Sequence, residues 1–150
     1  MSVRRYNCEG YFDPTAYDAF INIEKETRAA SLESLSRRVP NYRPLVYICS
    51  PYAGDIGWNV QNALRYCRFA TKQKCLPLAP HLYFTRFLDD VNEEQRAEGL
   101  FMGYILMTKC AEVWVFGDYI SRGMAAEINS AERRGMRIRY FTMDCEEVGP

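Results

Sequence analysis

The chain has no excess of charge of either sign: nineteen Lys and Arg offset nineteen Asp and Glu over 150 residues. A surface that neutralises nucleic-acid phosphates or anionic lipid needs a basic surplus, so neither a nucleic-acid nor a membrane partner is expected. Histidine occurs once, as His81, and none of the six cysteines forms a C-x-x-C pair. That poverty of ligand spacing argues against a metal site, and no motif implies a cofactor. No apolar run is long enough to cross a bilayer, and no apolar leader follows Met1. A reduced, cytoplasmic protein is the expectation. Repeats and low-complexity tracts are also missing.

What is present is apolar and aromatic. Hydrophobic residues make up 48% of the chain, and the aromatic 14% includes eleven tyrosines. That amount of apolar surface suits one globular domain of common size. Tyr-rich chains place the residue in cores, in ligand pockets or at subunit contacts, and a homo-oligomer is expected here. Of the cysteines, Cys8, Cys75 and Cys145 have no assigned place, while Cys49, Cys67 and Cys110 fall on expected core faces.

Residues 1–43 read as an N-terminal helical extension, and residues 44–150 as an α/β domain. Tyr6 to Tyr11 is loop-like, and Asp13-Pro14 is a helix start with Pro in the first turn. A helix over 14–38 follows, with Phe20, Ile23 and Thr27 on one side, a candidate dimer arm. Leu45-Val46-Tyr47-Ile48-Cys49 is continuously apolar, as parallel strands covered on both faces are. A helix over 58–72 carries Val60, Ala63, Leu64, Cys67 and Ala70 at core spacing. A short strand over 75–79 contains Pro77, and an irregular stretch runs to Asn92. A helix over 93–109 carries Ala97, Leu100, Tyr104 and Met107 inward. Strand 112–116, helix 121–134 and strand 137–142 complete the pattern. Trp58 and Trp114 read as packing residues.

Alternating strand and helix predicts right-handed crossovers and a doubly wound parallel sheet of the flavodoxin or Rossmann-like type, with an extra N-terminal helix. The expected strand order is 2-1-3-4, with a crevice between the first and third strands. Two loops then open onto one crevice: Ser50-Pro51-Tyr52-Ala53-Gly54-Asp55 and Asp118-Tyr119-Ile120-Ser121-Arg122-Gly123. Ser121 suits an N-cap, and Gly123 lets a ligand approach the backbone. Free N–H groups from Ser121 to Met124 would form a phosphate seat. Glu127 follows one to two turns into that helix, and His81 lies just past the second strand. As plain structure, Glu127 is a solvated helix acid, Tyr47 a core tyrosine and His81 a packed imidazole.

The strand run Tyr47-Ile48-Cys49-Ser50 and the helix run Gly123-Met124-Ala125-Ala126-Glu127, in this order of elements over residues 45–140, resemble the nucleoside 2-deoxyribosyltransferase-like superfamily. That resemblance implies cleavage or transfer at the N-glycosidic bond of a small-molecule nucleoside or nucleotide. It puts the nucleophile on Glu127 and its orienting hydroxyl on Tyr47. It assigns sugar and phosphate contacts to Ser50, Gly54, Ser121 and Gly123. Pro51, Tyr52, Asp55, His81, Gly117, Asp118 and Met124 complete the expected binding set. The chain departs from the family in two places. The helix Asp that serves as acid/base falls by spacing near Tyr104, where the chain reads Phe101-Met102-Gly103-Tyr104-Ile105. The first-loop Arg of the monophosphate-cleaving branch is Tyr52 here. Asp89, Asp90, Asp118 and His81 are the possible substitutes. The second reading is a non-catalytic nucleotide-binding module of the same fold.

Overall fold

The apolar run that begins after Pro44 forms β1, Leu45–Cys49, with Val46 to Cys49 buried. The computed structural model describes residues 14–149, and burial from residue 17 onward. The expected loop at Tyr6 to Tyr11, Cys8 and the Asp13 helix start lie outside the described residues.

β1 pairs in parallel with β2, Leu76–Leu78, on one side and with β3, Glu112–Phe116, on the other. β3 pairs in parallel with β4, Arg137–Phe141. The order of the described strands is β2-β1-β3-β4-β5, so the expected 2-1-3-4 arrangement is present with one strand added. That strand, β5, is Glu147–Val148, antiparallel to β4. Two residues show no periodicity. Arg139 instead ties β5 to the sheet by two bonds of 2.7 Å to the Glu147 carboxylate.

Helices connect the strands. α1 is Pro14–Arg38, α2 Ile56–Lys72 and α3 the single turn Pro80–Tyr83, continued by a 3-10 turn at Phe84–Arg86. α4 is Glu93–Met107, capped by the Asn92 side chain, and α5 is Arg122–Arg133, capped by Ser121. α2 starts two residues earlier than expected because Asp55 caps it, accepting from the Trp58 N–H at 3.0 Å. The stretch after β2, expected to be irregular, is mostly wound into the two short turns.

Strand alternation sends side chains to two apolar layers. Tyr47, Cys49, Val113 and Val115 pack with Met107 and Cys110 near the end of α4 and with Met124 and Ala131 of α5. Val46, Ile48, Trp114 and Phe116 pack with Tyr66 and Ala70 of α2 and with Phe141. Aromatic contacts carry much of the second layer: Tyr66 stacks on Phe116 at 4.2 Å between centroids, and Phe116 on Phe141 at 4.8 Å. Such pairs add about 1 kcal/mol each beyond their buried area.

Several expected inward residues are turned out. Trp58 is 57% exposed, whereas Trp114 is buried at 1%. Trp58 stands in the first turn of α2, beyond the carboxyl edge of the sheet, where no strand faces it. Ala97 and Leu100 are exposed because the first half of α4 overhangs the sheet; Met107 near its end is buried. In α1, the candidate arm, Ile23 is 60% exposed, Thr27 is also exposed and Phe20 is half-buried. The half-buried side includes Ile21, Glu24 and Arg28, and Arg28 donates to the Cys110 carbonyl at 3.4 Å. The five described cysteines carry free thiols. Cys49 and Cys110 are buried, and Cys67 is half-buried. No described helix is long and apolar enough to cross a membrane.

Gly135 ends α5 with φ +61°, a conformation that favours glycine, and an added Cβ would stand 2.8 Å from Ile21 Cγ2 of α1. Gly135→Ala should therefore lower unfolding free energy by about 1–3 kcal/mol, read by denaturant titration. An unchanged midpoint would mean that α1 does not hold this position in solution.

Candidate functional site

Parallel pairing of β1 and β3 releases both following loops at one edge of the sheet. Because α2 and α5 then cover opposite faces, a crevice opens between the loops. Tyr47 points to the α4/α5 face and α5 brings Glu127 to the same place. Tyr47 Oη donates to Glu127 Oε1 at 2.8 Å. Tyr47 is 2% exposed, and Glu127 is half-buried. Burial raises the Glu127 carboxyl above its ordinary value of 4.5, while the Cys49 thiol and the Tyr47 hydroxyl hold it back. Burial, reinforced by the Glu127 charge, keeps the Tyr47 hydroxyl protonated far above 10.0. Tyr47 is thus a fixed donor to a carboxylate that is costly to charge.

This pair forms one wall of a cavity of about 240 Å³. Of the residues expected to form the site, Tyr47, Ser50, Tyr52, His81, Ser121, Gly123, Met124 and Glu127 line it together. Ser50 Oγ lies 3.3 Å from His81 Nε2, and the Tyr52 and His81 rings are 6.1 Å apart. Enclosure lowers the His81 imidazole to about 4, so it is neutral near pH 7. Ser121 Oγ accepts from the Met124 N–H at 3.3 Å and closes the start of α5. A Cβ on Gly123 would lie 4.0 Å from that hydroxyl, so the missing side chain leaves open space for a ligand.

The remaining expected residues lie elsewhere. Pro51, Gly54, Asp55, Gly117 and Asp118 line a second cavity on the α2 side. Within it Gly117, at φ +113°, has its missing Cβ position 3.8 Å from Pro51 Cδ. The single crevice expected from the loops is two cavities, with Pro51 and Gly117 on the wall of the second. Ala53 borders both.

Sequence reasoning missed the contribution of α4. Gly99 and Gly103, one turn apart, line the first cavity, and a Cβ on Gly103 would stand 3.3 Å from Tyr47 Oη. The signal was available as two glycines inside a helix, which only a close approach explains. Arg96 and Arg122 also line this cavity, each on the first turns of its helix. Among the possible acid/base substitutes, Asp90 and His81 line it; Asp118 lies in the second cavity. Asp89 instead accepts from the Val91 N–H at 2.9 Å. No group of three potential metal ligands occurs among the described residues.

A family model described as a domain of unknown function, DUF7768, matches residues 44–141. The chain belongs to the DUF7768 family. No curated protein matches this DUF7768 chain. Among solved structures it is similar to "2-desoxiribosyltransferase from Leishmania mexicana", at 18% identity and a TM-score of 0.41. The match covers 66% of this chain and 64% of that one, so the chain spans less than two thirds of that protein.

Ionisation of the site has a stability consequence. With its folded value raised, Glu127 holds its proton more tightly in the native state than in the unfolded chain. Its contribution is most favourable below 4.5 and is lost as pH rises through the folded value. Glu127→Gln should therefore raise the thermal midpoint at pH 7, and this gain should shrink as pH falls toward 4.5. His81 has the opposite sense. Its folded value near 4 lies below the ordinary 6.5, so stability falls as pH drops through that window. In His81→Asn the loss between those pH values should be smaller, as measured by thermal melts across pH.

Proposed function

We propose that the first cavity cleaves an N-glycosidic bond of a nucleoside or nucleotide, with Glu127 as the nucleophile. The observation that carries this reading is the 2.8 Å bond from Tyr47 to one oxygen of a cavity-lining carboxylate. Tyr47 holds Oε1, and Glu127 Oε2 is left to meet the anomeric carbon. In the first step Oε2 bonds to that carbon, the carbon–nitrogen bond breaks, and its electron pair leaves with the base. In the second, water or an acceptor base attacks the same carbon and releases the Glu127 carboxylate. The first outcome is hydrolysis and the second is transfer, each with overall retention.

The departing base needs a proton. His81 is neutral near pH 7 and bonded to Ser50, so it serves better as an orienting group. Asp90 is the remaining carboxyl in the cavity, and we assign it proton delivery to the leaving nitrogen. Arg96, Arg122 and the free N–H groups at the start of α5 suit the anionic end of a nucleotide.

Glu127→Gln should abolish base release while leaving ligand binding nearly intact, because an amide cannot neutralise an oxocarbenium-like charge. Tyr47→Phe should slow turnover less, by about 10- to 100-fold, since it removes an orienting bond. Asp90→Asn should slow natural bases more than substrates whose leaving group needs no proton. In the wild type, kcat/KM should rise with pH through a value above 4.5, as Glu127 loses its proton. The measurement is free base released from ribo- and deoxyribonucleosides and their monophosphates. Base release by Glu127→Gln at the wild-type rate would sink the assignment. Binding without release in the wild type would favour the non-catalytic module.

We further propose that two copies associate through α4. Leu100, Phe101 and Ile105 are 40%, 59% and 45% exposed, and Leu100 also borders the cavity. Covering this row with a second copy would remove apolar surface from water beside the site. Phe101→Glu should shift the sedimentation mass at micromolar concentration from dimer to monomer; a monomeric wild type would refute the dimer.

A further inference from the structure

The second cavity, about 220 Å³ in volume, takes no part in the chemistry assigned to Glu127. Three residues of α2 descend into it at intervals of one turn. Trp58 stands at the mouth, 57% exposed; Asn62 lies below it at 8%; Tyr66 closes the floor at 2%. From the opposite loop come Asp118 and Tyr119, the latter 57% exposed. Asp55 adds a second carboxylate, and its Oδ1 is occupied by the Trp58 N–H.

Two features distinguish this cavity from an ordinary surface dent. Asn62 is more than nine-tenths buried and its carboxamide makes no side-chain hydrogen bond among the described residues, and since no buried side-chain N or O atom there lacks a partner, its polar atoms open onto the cavity. A polar group on a ligand would take the place of the cavity water at that amide. The lining also holds two carboxylates and no Lys, Arg or His, whereas Arg96 and Arg122 line the first cavity. The guanidinium near this wall, Arg65, lies 5.8 Å from the Tyr66 ring centroid and donates to the Met143 carbonyl at 2.6 Å.

We propose that this second cavity binds a small organic cation, an alkylammonium compound seated between Trp58 and Tyr119. The aromatic faces attract the cation through their quadrupoles, and Asp118 supplies the opposite charge. Asn62 accepts or donates to a polar group on the ligand's inner end. The volume holds roughly seven water-sized groups, the size of choline.

The test is titration of the whole chain with choline and with its neutral isostere 3,3-dimethylbutan-1-ol, by calorimetry and tryptophan fluorescence. Trp58 should report binding, while Trp114, at 1% exposure, should not. Choline should bind at millimolar concentration or below, with the isostere about tenfold weaker. Asp118→Asn, at an exposed site that the fold does not depend on, should weaken choline by about tenfold. Trp58→Leu should abolish the fluorescence response and weaken the calorimetric one. No response to choline up to about 10 mM, or equal binding of the isostere, would overturn the proposal. So would loss of choline binding in Glu127→Gln, which would move the cation to the first cavity. Base release is not read in any arm, so failure here is distinct from failure of the glycosidic chemistry.

Discussion

β1 and β3 pair in parallel from Val46↔Glu112 to Cys49↔Val115, and the rest of the arrangement follows from that register. Strands that run side by side in one direction release their loops at one edge, with helices returning over opposite faces. The pleat then decides which side chain belongs to which face. Tyr47 and Cys49 meet α5, whereas Val46 and Ile48 meet α2. A slip of one residue would carry Tyr47 to the α2 face and leave Glu127 without its donor. Burial of Val46 through Cys49 on both faces makes such a slip expensive.

Around that frame the molecule accepts local costs. A carboxyl with a raised proton affinity is held at the wall of the first cavity by Tyr47 and Cys49. α4 approaches so closely that its position 103 cannot carry a methyl group without pressing on Tyr47 Oη. Glycine inside a helix costs about 1 kcal/mol relative to alanine. Its presence here is explained by the space it opens beside the Tyr47–Glu127 pair. Strain and desolvation gathered at one place, with a well-packed aromatic layer on the other face, is the distribution expected where function limits stability.

The sheet was legible because its central strands are apolar throughout and flanked by clear breakers. Leu45–Cys49 and Glu112–Phe116 need no tertiary information to be read as buried strands. β5 was not legible, since a two-residue strand is made by Arg139 and by the turn at Cys145, with φ +64°, rather than by pattern. That Tyr47 and Glu127, 80 residues apart, open onto one crevice followed from placing each on its element, while their hydrogen bond was what the family resemblance implied. Division of the crevice did not follow, because it depends on how the two loops pack, with Pro51 against Gly117 on the wall of the second cavity. Ala97 and Leu100 misled for a related reason: helical spacing says which residues share a face, and not whether that face still overlies the sheet.

Separation of the two cavities also sorts charge. The first cavity sets Arg96 and Arg122 beside Glu127 and Asp90, and the second holds Asp55 and Asp118 without a base. The two acids of the second cavity disfavour an anion there, whereas in the first cavity the two arginines offset the two carboxylates. The same two acids favour an ammonium compound. Ala53 borders both spaces, and the Ser50–Asp55 segment that forms their shared rim includes the cap of α2. Any coupling between the two sites would have to be reciprocal, each ligand changing the other's affinity by the same factor.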